Sequence, residues 1–295
     1  MGVFKSSVKN VVGIDIGSRF IKMVCVQLDG KGGVKVLRWA SIEHPANLGV
    51  KVNKYIKMCK NKVKVRGTNT SICYSDGNTL IKEFSFPDMG DKDLKNNIEL
   101  EISEYISGDI KDYTISFKVI SKESGSIRVL AVAALTEGLE GSERLVVSSG
   151  LRVKYMDVEP NAISKVLKGV LDNRGGSCVV NIGDKYTNIS IFDENDYIAH
   201  SVEESGDDRS NLIQRLTQVI EYFYRKRPSN AVNKIYLIGG AVGDSGLKDR
   251  VESGAGIATY VLDFKMMSER YIIPNHFPIA TYCLALGAAI REDMQ

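Results

Sequence analysis

Asp15 and Lys22 are the first residues whose types and spacing suggest chemistry. They stand seven apart in IDIGSRFIKMVCV, residues 14–26, on either side of a turn containing Gly17, Ser18 and Arg19. The stretch VNIGDKYTNISIF, residues 180–192, repeats this layout without a gap. Asn181 takes the place of Asp15, Gly183 of Gly17, Asp184 of Ser18 and Asn188 of Lys22. Successive backbone N–H groups in a glycine turn can converge on an anion. Two such turns facing each other would grip a polyphosphate from both sides. Lys22 can neutralise phosphate charge, and Asp15 suits Mg²⁺, which favours one or two carboxylates and keeps several waters. The plainer readings, Asp15 as a turn cap and Lys22 as a solvated strand residue, remain open at this point. A third glycine turn, IGGAV (238–242), lets a flat nucleoside lie against the backbone at Gly239 and Gly240.

The elements that must hold these turns can be read from apolar periodicity. VVGIDI (11–16) and FIKMVCVQL (20–28) read as a hairpin, and residues 178–192 as a second. Gly30, Gly32 and Gly33 mark the next turn. Asp91 is a plausible N-cap for a helix that sets Leu94, Ile98, Ile102, Tyr105 and Ile106 on one face. TISFKVI and IRVLAVAAL read as strands, the second apolar enough to be buried on both faces. EGSERLVVSSGL reads as a helix ended by Gly150, and a further helix starts near Pro160. An amphipathic helix over 208–226 carries Leu212, Ile213, Leu216, Val219, Ile220 and Phe223 on one face and ends in RKRP. TYCLALGAAIR is an Ala/Gly-dotted helix able to pack closely.

The expected architecture is a duplicated α/β unit, two lobes around a cleft. Residues 1–35, 150–177 and 270–295 would form the first lobe. Residues 36–149 would form an inserted α+β subdomain, and 178–269 the second lobe, with a reduced helical subdomain over 208–234.

Composition narrows the function. The 295 residues are 43% hydrophobic and 25% charged, as in an ordinary globular protein. A formal charge of +3, spread and mixed with acids, argues against nucleic acid as a partner. The five cysteines are scattered, with no C-x-x-C, and read as buried thiols of a reducing compartment. Isolated His44, His200 and His276 do not suggest a metal site. MGVFKSSVKN contains the loose myristoylation pattern through Gly2 and Ser6 but reads as a short basic leader. No apolar run approaches the ~18 residues that a membrane span requires, so membrane association is expected only through a partner. The P-loop, G-x-S-x-G and G-x-G-x-x-G patterns are all missing.

GIDIGSRFIK resembles the first phosphate motif of the actin, heat-shock-chaperone and sugar-kinase superfamily, and VVNIGDKYTN the second. IYLIGGAV resembles its adenosine motif, while DVEPNAISKVL and LALGAAI resemble its two connecting helices. FSFPDMGDKDLKNNIELEISEYI, VLAVAALTEGLEGSERLVVSSGL and MDVEPNAISKVL are similar to features of the PilM family, actin-like cytoplasmic proteins of type IV pilus assembly. The resemblance covers nearly the whole chain. It implies an actin-like (ribonuclease H-like) fold that binds ATP and Mg²⁺ between its lobes. Gly13, Asp15, Gly17, Ser18, Arg19 and Lys22 would contribute from the first lobe. Asn181, Gly183, Asp184, Lys185, Thr187, Asn188, Gly239, Gly240 and Ala241 would contribute from the second. Asp15 and Glu159 would hold Mg²⁺ through water, and the catalytic candidates are Asp15, Glu159 and Asp184. The implied partner is the cytoplasmic N-terminal peptide of a PilN-like inner-membrane protein, bound in a groove beside the inserted subdomain. Other pilus platform proteins, and self-association, are compatible with it.

Two departures matter. The family's second phosphate motif usually opens with Asp, and here Asn181 stands there. An amide neither takes a proton nor neutralises Mg²⁺, so the expectation is ATP binding with slow or absent hydrolysis, with Asp184 as a possible substitute. Only about 30 residues separate EESGD from KIYLIGG, which disfavours actin-type filaments. The alternatives are an FtsA-like division protein, for which LALGAAIREDMQ supplies no amphipathic membrane helix, and a small-molecule kinase, against which Asn181 counts.

Overall fold

The computed structural model describes residues 9–29, 31–45, 51–66, 69–123, 125–168, 170, 176–193, 196–204 and 211–291. The N-terminal leader with Gly2 and Ser6, and the Gly30 turn position, lie outside them.

In chain order the strands and helices are β1 (Lys9–Ile16), β2 (Phe20–Leu28), β3 (Val34–Glu43), α1 (Val52–Val63), β4 (Asn69–Tyr74), β5 (Leu80–Pro87) and α2 (Asp91–Ser103). There follow β6 (Tyr113–Glu123), β7 (Ser126–Leu135), α3 (Thr136–Ser148), β8 (Arg152–Val158), α4 (Glu159–Leu167), β9 (Gly176–Ile182), β10 (Tyr186–Asp193) and β11 (Asp196–Glu204). The chain closes with α5 (Leu212–Lys226), β12 (Val232–Ile238), α6 (Leu247–Ala255), β13 (Thr259–Val261), β14 (Tyr271–Ile272) and α7 (Ile279–Ala289).

The larger of two compact units joins residues 1–74 to 145–295 and contains two sheets. The first has the order β14-β3-β2-β1-β4-β8, the second β11-β10-β9-β12-β13. In each, an antiparallel hairpin is extended by a parallel neighbour of its first strand, β4 on β1 and β12 on β9. On one face of the first sheet, Val12, Ile14, Ile21 and Met23 meet Ile56, Cys59 and Val63 of α1. The second sheet packs Val180, Ile182, Ile189 and Ile191 against Leu216, Ile220 and Phe223 of α5 and Val251 of α6.

Helix α7 is apolar on every side and buried along nearly its whole length. It packs on β1, β2 and β4, on α4, and also touches β12. Close approach depends on two glycines. A Cβ at Gly287 would lie 2.2 Å from Ala162 O of α4, and one at Gly13 would lie 1.8 Å from Ala285 O of α7.

The smaller unit, Ser75–Arg144, is the sheet β5-β7-β6 with α2 on one face. Its core joins Phe84 and Phe86 to Leu94, Ile98 and Ile102 of α2 and to Ile127, Val129 and Ala131 of β7.

The structure departs from the sequence-based expectations in three places. The second unit runs from Ser75 to Arg144, whereas the inserted segment was expected over 36–149. The reason is that β3 hydrogen-bonds along β2 and β4 along β1, completing the first sheet. Helix α2 takes Gly90 as its N-cap and begins with Asp91, and Tyr105 lies beyond its end, half exposed. Helix α5 starts at Leu212 and its apolar face belongs to the core of the second sheet, not to a subdomain of its own.

Candidate functional site

The two hairpins match in backbone as well as in sequence. Asp15 pairs across the ladder with Lys22, and Asn181 with Asn188. Gly17 N donates to Phe20 O at 3.0 Å, and Gly183 N to Tyr186 O at 2.9 Å. A Cβ would come within 3.1 Å of Phe20 O at Gly17 and 2.7 Å of Tyr186 O at Gly183. Closure of the turn therefore selects glycine in the second copy, and in the first it leaves room for a side chain only if the Phe20 carbonyl gives by a few tenths of an ångström.

In the first copy Lys22 Nζ donates to Asp15 Oδ2 at 3.0 Å, with both side chains mostly buried. His44 braces the turn: its Nε2 lies 2.8 Å from Gly17 O, and its backbone N donates to Arg19 O at 2.9 Å. In the second copy neutral amides stand at the positions of Asp15 and Lys22. Asn181 Nδ2 donates to Glu159 Oε1 at 3.0 Å, and Asn188 Nδ2 donates to Glu159 Oε2. Glu159, 3% exposed, opens α4, where the positive end of the helix dipole favours a carboxylate. Asp157 secures this helix start. Its Oδ1 accepts from Val158 N at 3.0 Å and from Asn161 Nδ2 at 2.7 Å, and it pairs with buried Lys165, which donates to Ile290 O at 2.8 Å.

The third turn closes over these groups. Gly239 has φ +109° and donates its N–H to Ala280 O at 2.9 Å. A Cβ there would stand 2.3 Å from Ile182 O and 2.6 Å from Asn181 Oδ1. Ala241 N donates to Ile182 O at 3.1 Å. The Lys22 side chain, from the first sheet, comes within 3.9 Å of the Cβ position of Gly240. At the exposed rim Arg19 pairs with Glu43 at 2.9 Å and with Asp184 at 3.4 Å, joining the turns of the two hairpins.

Beneath the site lie two buried thiols. Burial pushes the Cys73 thiol well up, and the negative charges of Asp15, Asp157 and Glu159 push it further. Cys283 of α7 is raised by burial and then by Glu159 and Asp15.

Asp15, Lys22, Asn181, Asn188 and Glu159 come together with the turns at Gly17, Gly183, Gly239 and Gly240. Gly13 does not take part as expected: it is buried beneath the backbone of α7, where it allows the helix to approach. Asp184 is half exposed and faces Arg19. Lys185 is exposed, 5.0 Å from the Tyr186 ring centroid, and Ser18 is half-buried. Thr187 is buried beside Asn188. The bracing of the first turn by His44 has no signal in the sequence, because the contact spans 27 residues.

The sequence profile described as type IV pilus assembly protein PilM matches residues 13–211. The chain belongs to that family. Among solved structures, the chain is similar to one titled PilM-PilN type IV pilus biogenesis complex, with a TM-score of 0.81 at 18% identity, covering 95% of this chain and 98% of that one. The cytoplasmic domain of EpsL, an inner-membrane component of the type II secretion system of Vibrio cholerae, matches at TM-score 0.56 and 9% identity over 96% of each chain. The ethanolamine utilization protein EutJ from Carboxydothermus hydrogenoformans matches at 0.51 and 13% over 98% of this chain and 91% of that one. A Bacteroides thetaiotaomicron protein with an actin-like ATPase fold matches at 0.50 and 10%, covering 88% and 93%. PilM-family membership and these neighbours establish the actin-like architecture.

Proposed function

We propose that this PilM-family protein is an ATP-binding scaffold of the type IV pilus assembly platform that hydrolyses ATP slowly or not at all. The observation that carries the reading is the pair of like hairpin turns with Asp15–Lys22 in one and Asn181–Asn188 in the other. The donor set suits a Mg²⁺ polyphosphate: a partly buried lysine, a buried carboxylate, and a buried acceptor, Asn188 Oδ1, that has no partner among the described residues. Asp15, with Glu159 behind it, would hold Mg²⁺ through waters, and the metal would neutralise phosphate charge. Lys22 and the N–H groups of the Gly17 and Gly183 turns would hold phosphate oxygens. Gly240, exposed at the third turn, leaves room for the nucleoside.

Phosphoryl transfer to water requires an oriented nucleophile. Asn181 is committed to Glu159 and takes up no proton, while Asp184 turns toward Arg19 at the rim. Turnover is therefore expected to be far below that of an active ATPase, and unchanged in Asp184→Ala. An active-ATPase rate lost in that variant would defeat the binding-only reading.

The partner on this reading is the cytoplasmic N-terminal peptide of a PilN-like inner-membrane protein, supported by family membership and the match to the PilM-PilN complex. Among the described residues no helix is long and apolar enough to cross a membrane, so a cytoplasmic location beside the membrane would come through that partner. The experiment is the melting temperature with and without millimolar Mg-ATP, for the native chain and Asp15→Ala. Nucleotide at 100 times its dissociation constant stabilises by about 2.7 kcal/mol, a shift of several degrees. The shift is expected in the native chain and lost in the variant. Its absence from nucleotide-free native protein refutes ATP binding.

A further inference from the structure

In the second hairpin two neutral amides occupy the positions that an acid and a base hold in the first. Both turn their NH₂ groups on one carboxylate. Asn181 donates to Glu159 Oε1 at 3.0 Å and Asn188 to Oε2, so each oxygen of this buried group has a donor. The three residues come from different layers. Glu159 opens α4, which follows β8 of the first sheet, whereas Asn181 and Asn188 lie on β9 and β10 of the second. These two bonds tie one layer to the other. The third turn adds a backbone tie, Gly239 N–H to Ala280 O of α7 at 2.9 Å, and at the rim Arg19 pairs with Asp184 in solvent, where such pairs contribute little.

The geometry points to a metal-free latch: the Asn181 and Asn188 amides dock the Glu159 carboxylate, hold α4 on the second sheet without a cation, and leave Asn181 one atom away from the acid that would demand one. With an acid at position 181, two carboxylates would face each other at hydrogen-bond distance in a buried place. Such a pair stands only with a shared proton or a bridging cation, because like charges that close cannot both ionise in the interior. Oxygen-only pairs of this kind are ligands for hard divalent ions. The amide removes that requirement. The third turn packs on the same amide. Asn181 Oδ1 faces Gly239, where a Cβ would stand 2.6 Å away, so the latch and the glycine turn constrain each other. The contact between α4 and the second sheet in this chain then needs no metal, and the latch is independent of whether nucleotide binds.

The test uses the full chain without nucleotide and compares the native protein, Asn181→Asp, and Asn181→Asp/Glu159→Gln. The double variant returns one carboxylate and one amide in exchanged positions. Melting temperatures are recorded in EDTA and in millimolar MgCl₂ or MnCl₂. The native chain is expected to melt at the same temperature in all three. Asn181→Asp in EDTA is expected to melt roughly 5 °C or more lower, the scale that an uncompensated buried charge produces in a unit of this size. Divalent cation should return most of that loss in Asn181→Asp, and the Glu159→Gln exchange should return it in EDTA. If Asn181→Asp does not fold in EDTA, recovery in the double variant still supports the latch. The idea is overturned if Asn181→Asp melts with the native chain in EDTA, if neither cation nor the exchange recovers it, or if the nucleotide-free native chain is stabilised by the cations. None of these readouts involves ATP, so loss of the Mg-ATP shift would leave the latch standing.

Discussion

The Asp15–Lys22 pair provides a quantitative check on the site. Its side chains are 9% and 12% exposed, and the 3.0 Å contact is a charge-assisted hydrogen bond. Lys22→Met keeps most of the stem and removes the charge, leaving Asp15 without its cation. Removing one member of a buried pair costs about 3–5 kcal/mol. The lower end applies here, because the site opens beside exposed Gly240 and water can reach the carboxylate. A loss of ~3 kcal/mol corresponds to a fall of roughly 6–12 °C in Tm for a unit of this size. Asp15→Asn should cost less, about 1–2 kcal/mol, since its Oδ1 still accepts from Lys22 and the lysine stem can carry its ammonium toward water. The double variant should resemble Asp15→Asn alone, so the coupling energy equals the whole Lys22→Met loss, about 3 kcal/mol. Urea and thermal melts of the four proteins at neutral pH measure it. Additivity within ~0.5 kcal/mol, the behaviour of independent sites, would refute the pairing.

Three further outcomes are expected. Gly13→Ala sets a Cβ 1.8 Å from a backbone oxygen of α7, so the helix must shift; a loss of about 3 kcal/mol or more should appear in melts, whereas Gly77→Ala, with nothing within 4 Å, should be within ~1 kcal/mol of the native chain. All five cysteines are buried, and burial is the first cause raising each thiol, Cys59 from 9.0 to about 12. A raised folded value means that stability is complete below pH 9 and falls above it, as unfolded thiols ionise while folded ones do not; a thiol whose folded value lies far above the pH contributes a slope approaching about 1.4 kcal/mol per pH unit. A flat Tm between pH 8 and a value near 10.5 would contradict that burial. Arg19→Ala removes two exposed, solvent-screened ion pairs and should leave the melting temperature close to that of the native chain, so a clear fall in Tm would mean that the rim carries part of the contact between the two hairpin turns.

Much of the frame was legible in the sequence because its signals are local. Val/Ile-rich runs in VVGIDI and FIKMVCVQL, joined by three residues that include Gly17, specify a hairpin, and the gapless repeat at 180–192 specifies another with the same register. The apolar run of β7 and the helical spacing in α5 are local in the same sense. The insert boundary was not legible. Residues 36–74 become part of the first sheet only through hydrogen bonds to β1 and β2, and an edge strand and an inserted strand have the same composition.

The sequence by itself determined the duplicated turn, the glycines that close it, and the replacement of Asp15 and Lys22 by Asn181 and Asn188 in the second copy. Those are facts of residue type and spacing, and they follow from backbone sterics and charge. What the amides do was decided only in three dimensions. Glu159 is 22 residues from Asn181 and 29 from Asn188, and nothing in that spacing says that one carboxylate will lie between them. The same holds for Gly13, whose motif position suggests a ligand contact and whose packing against α7 makes it a seat for a helix. Local chemistry constrains what a residue can offer; burial and the arrival of a distant partner decide which offer is taken up.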